Sequence, residues 1–258
     1  MAGIFTTEIT SDSIPSDNPI HQRLLKAYVL APDFIRGNLL EVGCGEGRGI
    51  DWLMPKIDRY TAIDKIIPAI EKLQAKYPKG KFISGNIPPL SDFADNTFDS
   101  VVSFQVIEHI KDDHLFLKEI NRVLKPGGVA LISTPNRPMS LSRNPWHERE
   151  YTATELTDLS KKYFSEVTMK GITGNDKVMM YHERNRASVN RIMRWDVFDL
   201  QHRLPAALLR VPYEMLNRLN RNKLKSGADD LVMSIHHQDY LLTDVAAQAL
   251  DLFMIAKK

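Results

Sequence analysis

From residue 38 onward, short apolar runs alternate with segments of helical periodicity, and this alternation constrains the fold more than any other feature of the chain. Residues 38–42, 60–63, 81–84, 98–104 and 129–133 are short and apolar and read as strands. Between them, 50–54, 68–76 and 113–124 read as helices. Pro68 stands in a first turn, where its missing N–H costs nothing, and Pro126-Gly127-Gly128 is read as stopping the last of these helices. Strand–helix–strand repetition specifies a mainly parallel sheet with helices on both faces. A further helix (154–163), a sixth strand (165–171) and a last strand (249–256) extend the pattern. The stretch 180–226 breaks the rhythm and reads as a helical insertion before the last strand. The predicted fold is therefore α/β, a doubly wound, Rossmann-like sheet of seven strands.

Size and composition agree with this. At 258 residues the chain accommodates one large domain with a modest insertion. A formal charge of +2 does not by itself point to nucleic acid or an anionic membrane. Cys44 is the single cysteine, so no disulfide can form within the chain, and a reducing, cytoplasmic location is expected. No apolar run approaches the roughly 20 residues needed to span a bilayer. Residues 1–19, polar and rich in Ser, Asp and Pro, are expected to be flexible and lack the basic and apolar regions of a signal peptide. Residues 20–258 form the predicted domain, opening with a helix over 20–31.

The turn after the first strand carries the chemistry. In Leu40-Glu41-Val42-Gly43-Cys44-Gly45-Glu46-Gly47, three glycines at alternate positions let bare backbone approach a ligand at a strand's carboxyl end. Dinucleotide folds use G-x-G-x-x-G to seat a pyrophosphate; here the spacing is G-x-G-x-G and an acid, Glu41, precedes it. An acid opposes a diphosphate and suits a cationic amino-acid group. Asp64 follows Gly43 by 21 residues, where a carboxylate can accept from both hydroxyls of a ribose. A nucleoside bearing an ammonium and a sulfonium fits this set better than NAD does.

With these residues in register, the sequence resembles class I S-adenosylmethionine (SAM) dependent methyltransferases, in particular the branch of ubiquinone-biosynthesis O-methyltransferases and related small-molecule enzymes. The resemblance is strong over 39–136 and holds only in outline beyond. It implies that the last strand is antiparallel and that the cofactor is SAM, leaving as S-adenosylhomocysteine. It also implies roles for residues: Gly43, Cys44, Gly45 and Gly47 lining the methionine part, Glu41 near its amino group, Asp64 and the adjoining Lys65 at the ribose. Asn86, where the family usually has Asp, and Ile87 would meet the adenine; Phe104 and Gln105 would flank the methyl donor; Arg23, on the helix before the first strand, would pair with the cofactor carboxylate. Some relatives carry E-x-x-E-H on the fourth-strand motif, proposed to hold a metal. This chain has Gln105 in place of the first acid, ahead of Glu108-His109, and no metal is expected.

A hydroxyl acceptor benefits from a general base. His109 follows the fourth strand, and His147 lies in Asn144-Pro145-Trp146-His147-Glu148-Arg149-Glu150-Tyr151 after the fifth, so both are candidates. The insertion is basic and amphipathic, which suits a lid over an anionic acceptor, a contact between subunits, or simply a solvated face. The leading expectation is O-methylation, at hydroxyl or carboxylate, of a small molecule, glycan or peptide. An RNA methyltransferase rests on the basic insertion alone. A SAM-binding regulatory protein without catalysis is the reading from another class. The sequence leaves the oligomeric state open.

Overall fold

The computed structural model describes residues 14–196, 199–227 and 229–258. Its elements are α1 (Asn18–Leu30), β1 (Asn38–Val42), α2 (Ile50–Leu53), β2 (Arg59–Asp64), α3 (Ile67–Lys76), β3 (Lys81–Ser84), β4 (Phe98–Phe104), α4 (Asp113–Val123) and β5 (Leu124–Pro135). There follow α5 (Ala153–Ser160), β6 (Glu166–Gly174), α6 (Asp176–Met193), α7 (Leu200–Arg203), α8 (Ala206–Gly227), α9 (Asp229–Ser234), β7 (Tyr240–Thr243) and β8 (Asp251–Lys257). One sheet runs in the order β3-β2-β1-β4-β5-β8-β6-β7. β1 to β5 pair in parallel. β8 is antiparallel to both β5 and β6, and β7 is antiparallel to β6.

The central strands β1, β4, β5 and β8 are buried along most of their length because both faces of the sheet are covered there. Successive residues of a strand point to opposite sides of a sheet. Leu39, Val102 and Leu131 accordingly join Tyr28, Phe104 and Phe253 in one core. Their neighbours Leu40, Val101 and Ile132 join Phe116, Leu117 and Ile120 of α4 in the other. α4 starts where the Asp112 side chain accepts from the Leu115 N–H, and α5 starts with a reciprocal capping box between Thr152 and Glu155.

Three expectations need correction. The sheet has eight strands rather than seven. The additional one, β7, is four residues long with only Tyr240 buried, too short to carry a periodic signal. Two strands, β7 and β8, therefore oppose the rest, and the helical excursion lies between β6 and β7. Pro126-Gly127-Gly128 lie within β5 rather than at the stop of α4, which ends at Val123: β5 takes over directly at Leu124, and the irregularity is absorbed as a register shift against Phe98 and Ser100 on β4. Of the N-terminal segment, residues 1–13 lie outside the described residues. Within 14–19, Pro15–Asp17 make a 3-10 turn with Ser16 and Asp17 buried, and Asp17 accepts from Arg218 and Arg221 of α8 at 2.9 and 3.0 Å.

The strand order reverses between β1 and β4, so the chains leaving their carboxyl ends diverge and open a crevice, the usual ligand site of such sheets.

Candidate active site

Two cavities meet in that crevice. The first, about 440 Å³, runs along the glycine loop and is lined by Gly43 to Arg48, by His21 and Tyr28 of α1, by Leu73 and Lys76 of α3, and by Phe104 and Gln105 at the end of β4. The second, about 240 Å³, is bounded by Arg23, Gln105, Glu108, His109, His147 and Glu150, by Tyr181 and His182 of α6, and by Asn217, Asn220 and Arg221 of α8. Gln105 borders both. It holds a left-handed backbone, φ 58°, which turns the chain sharply off β4; its N–H donates to the Ser133 carbonyl at 2.8 Å.

The loop conformation depends on glycine for two separate reasons. Gly43 and Gly45 both have positive φ, 83° and 51°. A Cβ on Gly43 would lie 2.4 Å from Val106 Cγ2, whereas one on Gly45 would meet nothing within 4 Å. Gly43 is therefore packed against the turn after β4, and Gly45 faces open space. Asp64, at the end of β2, accepts from Gly45 N–H at 2.8 Å and Ile66 N–H at 3.0 Å. Each carboxylate oxygen keeps acceptor capacity for a further donor.

Glu41 is 1% exposed and lies beneath the loop rather than on the cavity wall. Its two oxygens accept from the hydroxyls of Tyr28 and Tyr60. Burial pushes its carboxyl up to about 7, although the two tyrosine donors pull the other way. Cys44 lines the cleft, and burial pushes its thiol up, which makes it a poor nucleophile. Lys65 and Asn86 are exposed, and Ile87 packs on the core beside them. Asn86 lies two residues beyond Ser84, which pairs with Asp64 across β2 and β3, so these residues stand at the same end of the sheet as the loop without lining either cavity. Arg23 is placed in the second cavity, not the first. Its Nε lies 3.2 Å from Asp251 Oδ2, in ionic contact though not in hydrogen-bond alignment. Burial pushes the Asp251 carboxyl up to about 6 against the pull of Arg23, with Glu108 adding to the rise.

The two histidines come together. Their rings sit edge to face with centroids 4.9 Å apart. His109 Nδ1 is 2.9 Å from the Trp146 carbonyl; a carbonyl only accepts, so Nδ1 carries the proton and Nε2 is the basic nitrogen. His147 Nδ1 is 2.6 Å from Glu150 Oε1, and its Nε2 is 2.8 Å from the Asn144 amide. Burial alone would raise the Glu150 carboxyl, but the His147 and Ser140 donors and the charges of His147 and Arg23 hold it below its ordinary value. Glu108, 1% exposed, accepts from Thr134 at 3.0 Å.

Glu108, His109 and His147 each offer a ligand atom within 4.8 Å of the others. This set is of a kind that could hold a divalent cation, and the sequence did not reveal it, because His147 reaches the Glu108-His109 pair only through the fold. The sequence reading also missed Asp251, which has a faint signal, an acid at the head of an apolar strand. It did not single out Tyr181, His182, Asn217 or Asn220, but these and Arg221 all fall in the 180–226 insertion read as a possible lid.

The sequence profile of a family described as a methyltransferase domain matches residues 40–132. The chain is 43% identical over 127 residues to a probable SAM-dependent methyltransferase of Mycolicibacterium smegmatis, covering 47% of this chain and 49% of that one. It is 36% identical over 166 residues to a probable SAM-dependent methyltransferase of Mycobacterium tuberculosis, covering 62% and 60%. The alignments thus span about half to three fifths of these relatives' lengths. A SAM-dependent methyltransferase from Thermotoga maritima, described as a possible histamine N-methyltransferase, shares the fold with a TM-score of 0.57 at 15% identity, over 93% of this chain and 90% of that one. The glycine loop, its place at the reversal of strand order, and these likenesses agree: residues 40–132 match a methyltransferase domain, and over about half its length the chain is similar to SAM-dependent methyltransferases, whose fold it shares.

Proposed function

We propose that the chain transfers the methyl group of SAM to an oxygen of an acceptor bound in the second cavity, a hydroxyl or carboxylate of a small molecule, glycan or peptide. The observation that carries this reading is the shared wall at Gln105, which puts a glycine-loop cleft and a polar cavity with paired histidines side by side. The residues fit the cofactor: Gly45 leaves open space where a Cβ would stand, and Asp64 is held by backbone donors with acceptor capacity to spare. Gly43, Cys44, Gly45 and Gly47 would hold its methionine part, Asp64 with Lys65 its ribose, Asn86 and Ile87 its adenine, and Phe104 and Gln105 the region of the methyl group. Glu41, under the loop, positions it through Tyr28 and Tyr60. Bound SAM supplies a methyl already made electrophilic by its sulfonium.

The chain's own part is alignment and proton removal. His109, its proton pinned on Nδ1 by the Trp146 carbonyl, presents Nε2 as the base for an acceptor hydroxyl. His147, held by Glu150 and Asn144, orients the acceptor beside it. Carboxylates, imidazoles and amides around one small space suit a hydroxyl-rich acceptor. A cytoplasmic location belongs to this reading and rests on the lone, buried Cys44.

The test is S-adenosylhomocysteine release over a panel of phenols, sugars and carboxylic acids, with SAM affinity measured alongside. His109→Ala is expected to lower kcat on a hydroxyl acceptor by roughly 10²–10⁴-fold with SAM affinity unchanged, and Asp64→Ala to weaken SAM binding. A folded wild type that binds neither SAM nor S-adenosylhomocysteine sinks the proposal.

A further inference from the structure

α8 is amphipathic the wrong way round for a helix packed on a domain. Its inner face brings Asn217, Asn220 and Arg221 to the second cavity. Its outer face is apolar: Leu208, Val211, Met215, Leu216 and Leu219 are each 45–67% exposed. At 1.5 Å rise per residue, this stripe runs for about 16 Å. Just upstream, Trp195 is 86% exposed. Patches of this kind on a folded chain mark a surface that is covered in use.

The charge of the segment identifies the cover. Residues 180–226 hold ten Arg and Lys against four Asp and Glu, a net of +6 in a chain whose total is +2. Arg191, Arg194, Arg203 and Lys223 are exposed in the same excursion. A second copy docked face to face would set this positive charge against its equal. Nucleic acid would meet the cations, but the stripe on α8 is aliphatic, and Trp195 is one exposed ring rather than the succession of aromatic platforms on which bases stack. An exposed aliphatic helix face on an excursion of strong net positive charge is the pattern of a helix lying in the interface of an anionic bilayer. Among the described residues no helix is long and apolar enough to cross a membrane, which is consistent with lying on one.

We propose that the outer face of α8 docks the protein on an anionic lipid surface, its apolar stripe entering the headgroup boundary while the exposed cations of the excursion meet lipid phosphates. The inner face of the same helix then borders the acceptor cavity, so docking sets that cavity beside the membrane. The binding does not require that the chain be an active methyltransferase, and its readout is independent of turnover.

The experiment is co-sedimentation of the full chain with vesicles of phosphatidylcholine, with and without phosphatidylglycerol. Partition is expected to be roughly tenfold stronger with phosphatidylglycerol and to weaken with added salt. Val211→Asp/Leu219→Asp is expected to lose roughly tenfold or more, because it places charge in the inserted stripe. Leu241→Asp, the same kind of change at an exposed position on β7, is expected to leave binding unchanged. Circular dichroism checks that the variants fold; if the double variant does not, Arg203→Gln/Lys223→Gln tests the cationic border at exposed sites. Absence of vesicle binding overturns the proposal, as does binding indifferent to both double variants. A dimer in analytical ultracentrifugation that Val211→Asp/Leu219→Asp dissociates, without vesicle binding, reassigns the stripe to a second copy. Binding of polyuridylate without vesicle binding reassigns the surface to nucleic acid.

Discussion

Gly43 and Gly45 share a backbone conformation and differ in surroundings, so they separate two costs that sequence motifs merge. Gly45→Ala forces only a positive φ on a residue with a Cβ, worth about 1–2 kcal/mol. Gly43→Ala adds a collision with Val106, which raises the expected loss to about 2–4 kcal/mol. Urea unfolding distinguishes them, and Val106→Ala should restore part of the stability of Gly43→Ala but none of Gly45→Ala. Glu41 makes a prediction about pH. Its carboxyl is raised to about 7 by burial, so between the ordinary carboxylate range and pH 7 the folded state holds a proton that the unfolded state has lost. That contribution is fully present at low pH and disappears as pH rises through 7. The urea midpoint of the wild type should therefore fall between pH 5 and pH 8 by more than that of Glu41→Gln; equal changes would show that Glu41 is not the titrating group. The motif with its preceding acid was legible in the sequence. The burial of Glu41 under two tyrosines was not, because Tyr28 and Tyr60 lie on different elements.

At the scale of elements, strands on the parallel side of the sheet were legible because burial on both faces writes a continuous apolar run. β7 was not, since its place depends on pairing with β6 through a four-residue edge. The N-terminal turn was read from composition as flexible, yet Asp17, with a fully buried side chain, clamps Arg218 and Arg221 of α8. Composition reports the average cost of ordering a segment and is blind to one carboxylate that finds two guanidinium groups some two hundred residues away. Asp17→Ala leaves those cations without their shared acceptor. Because both are partly exposed, the expected loss is about 1–3 kcal/mol, accompanied by faster proteolysis within α8. Unchanged cleavage of α8 would show that the clamp does not hold it.

For the whole molecule, the arrangement of two cavities about Gln105 predicts linkage between ligand and stability. A ligand that binds only the folded state at about 100 times its Kd adds about 2.7 kcal/mol, a rise in Tm of roughly 5–10 °C for a chain of this size. S-adenosylhomocysteine should produce that rise in the wild type, and far less in Asp64→Ala at the same concentration. NAD should produce none. A shift that survives Asp64→Ala would place the ligand outside the glycine-loop cleft.

Local order in this protein is written in local sequence. The strand–turn–helix periods, the glycines with positive φ and the acid at the end of β2 follow from constraints within a few residues of each other, and the alternation dictates a parallel sheet with a crevice where its order reverses. The second cavity has no such local author. His109 and His147 meet because the turns after β4 and β5 leave neighbouring strands on the same side. Asp251 reaches Arg23 because the antiparallel β8 is inserted between β5 and β6. The wall of Asn217, Asn220 and Arg221 arrives from an excursion that turns its polar face inward and leaves its apolar face to the outside. These are choices of packing, set by which buried surfaces and charges can be satisfied together, and they appear only when the chain is folded.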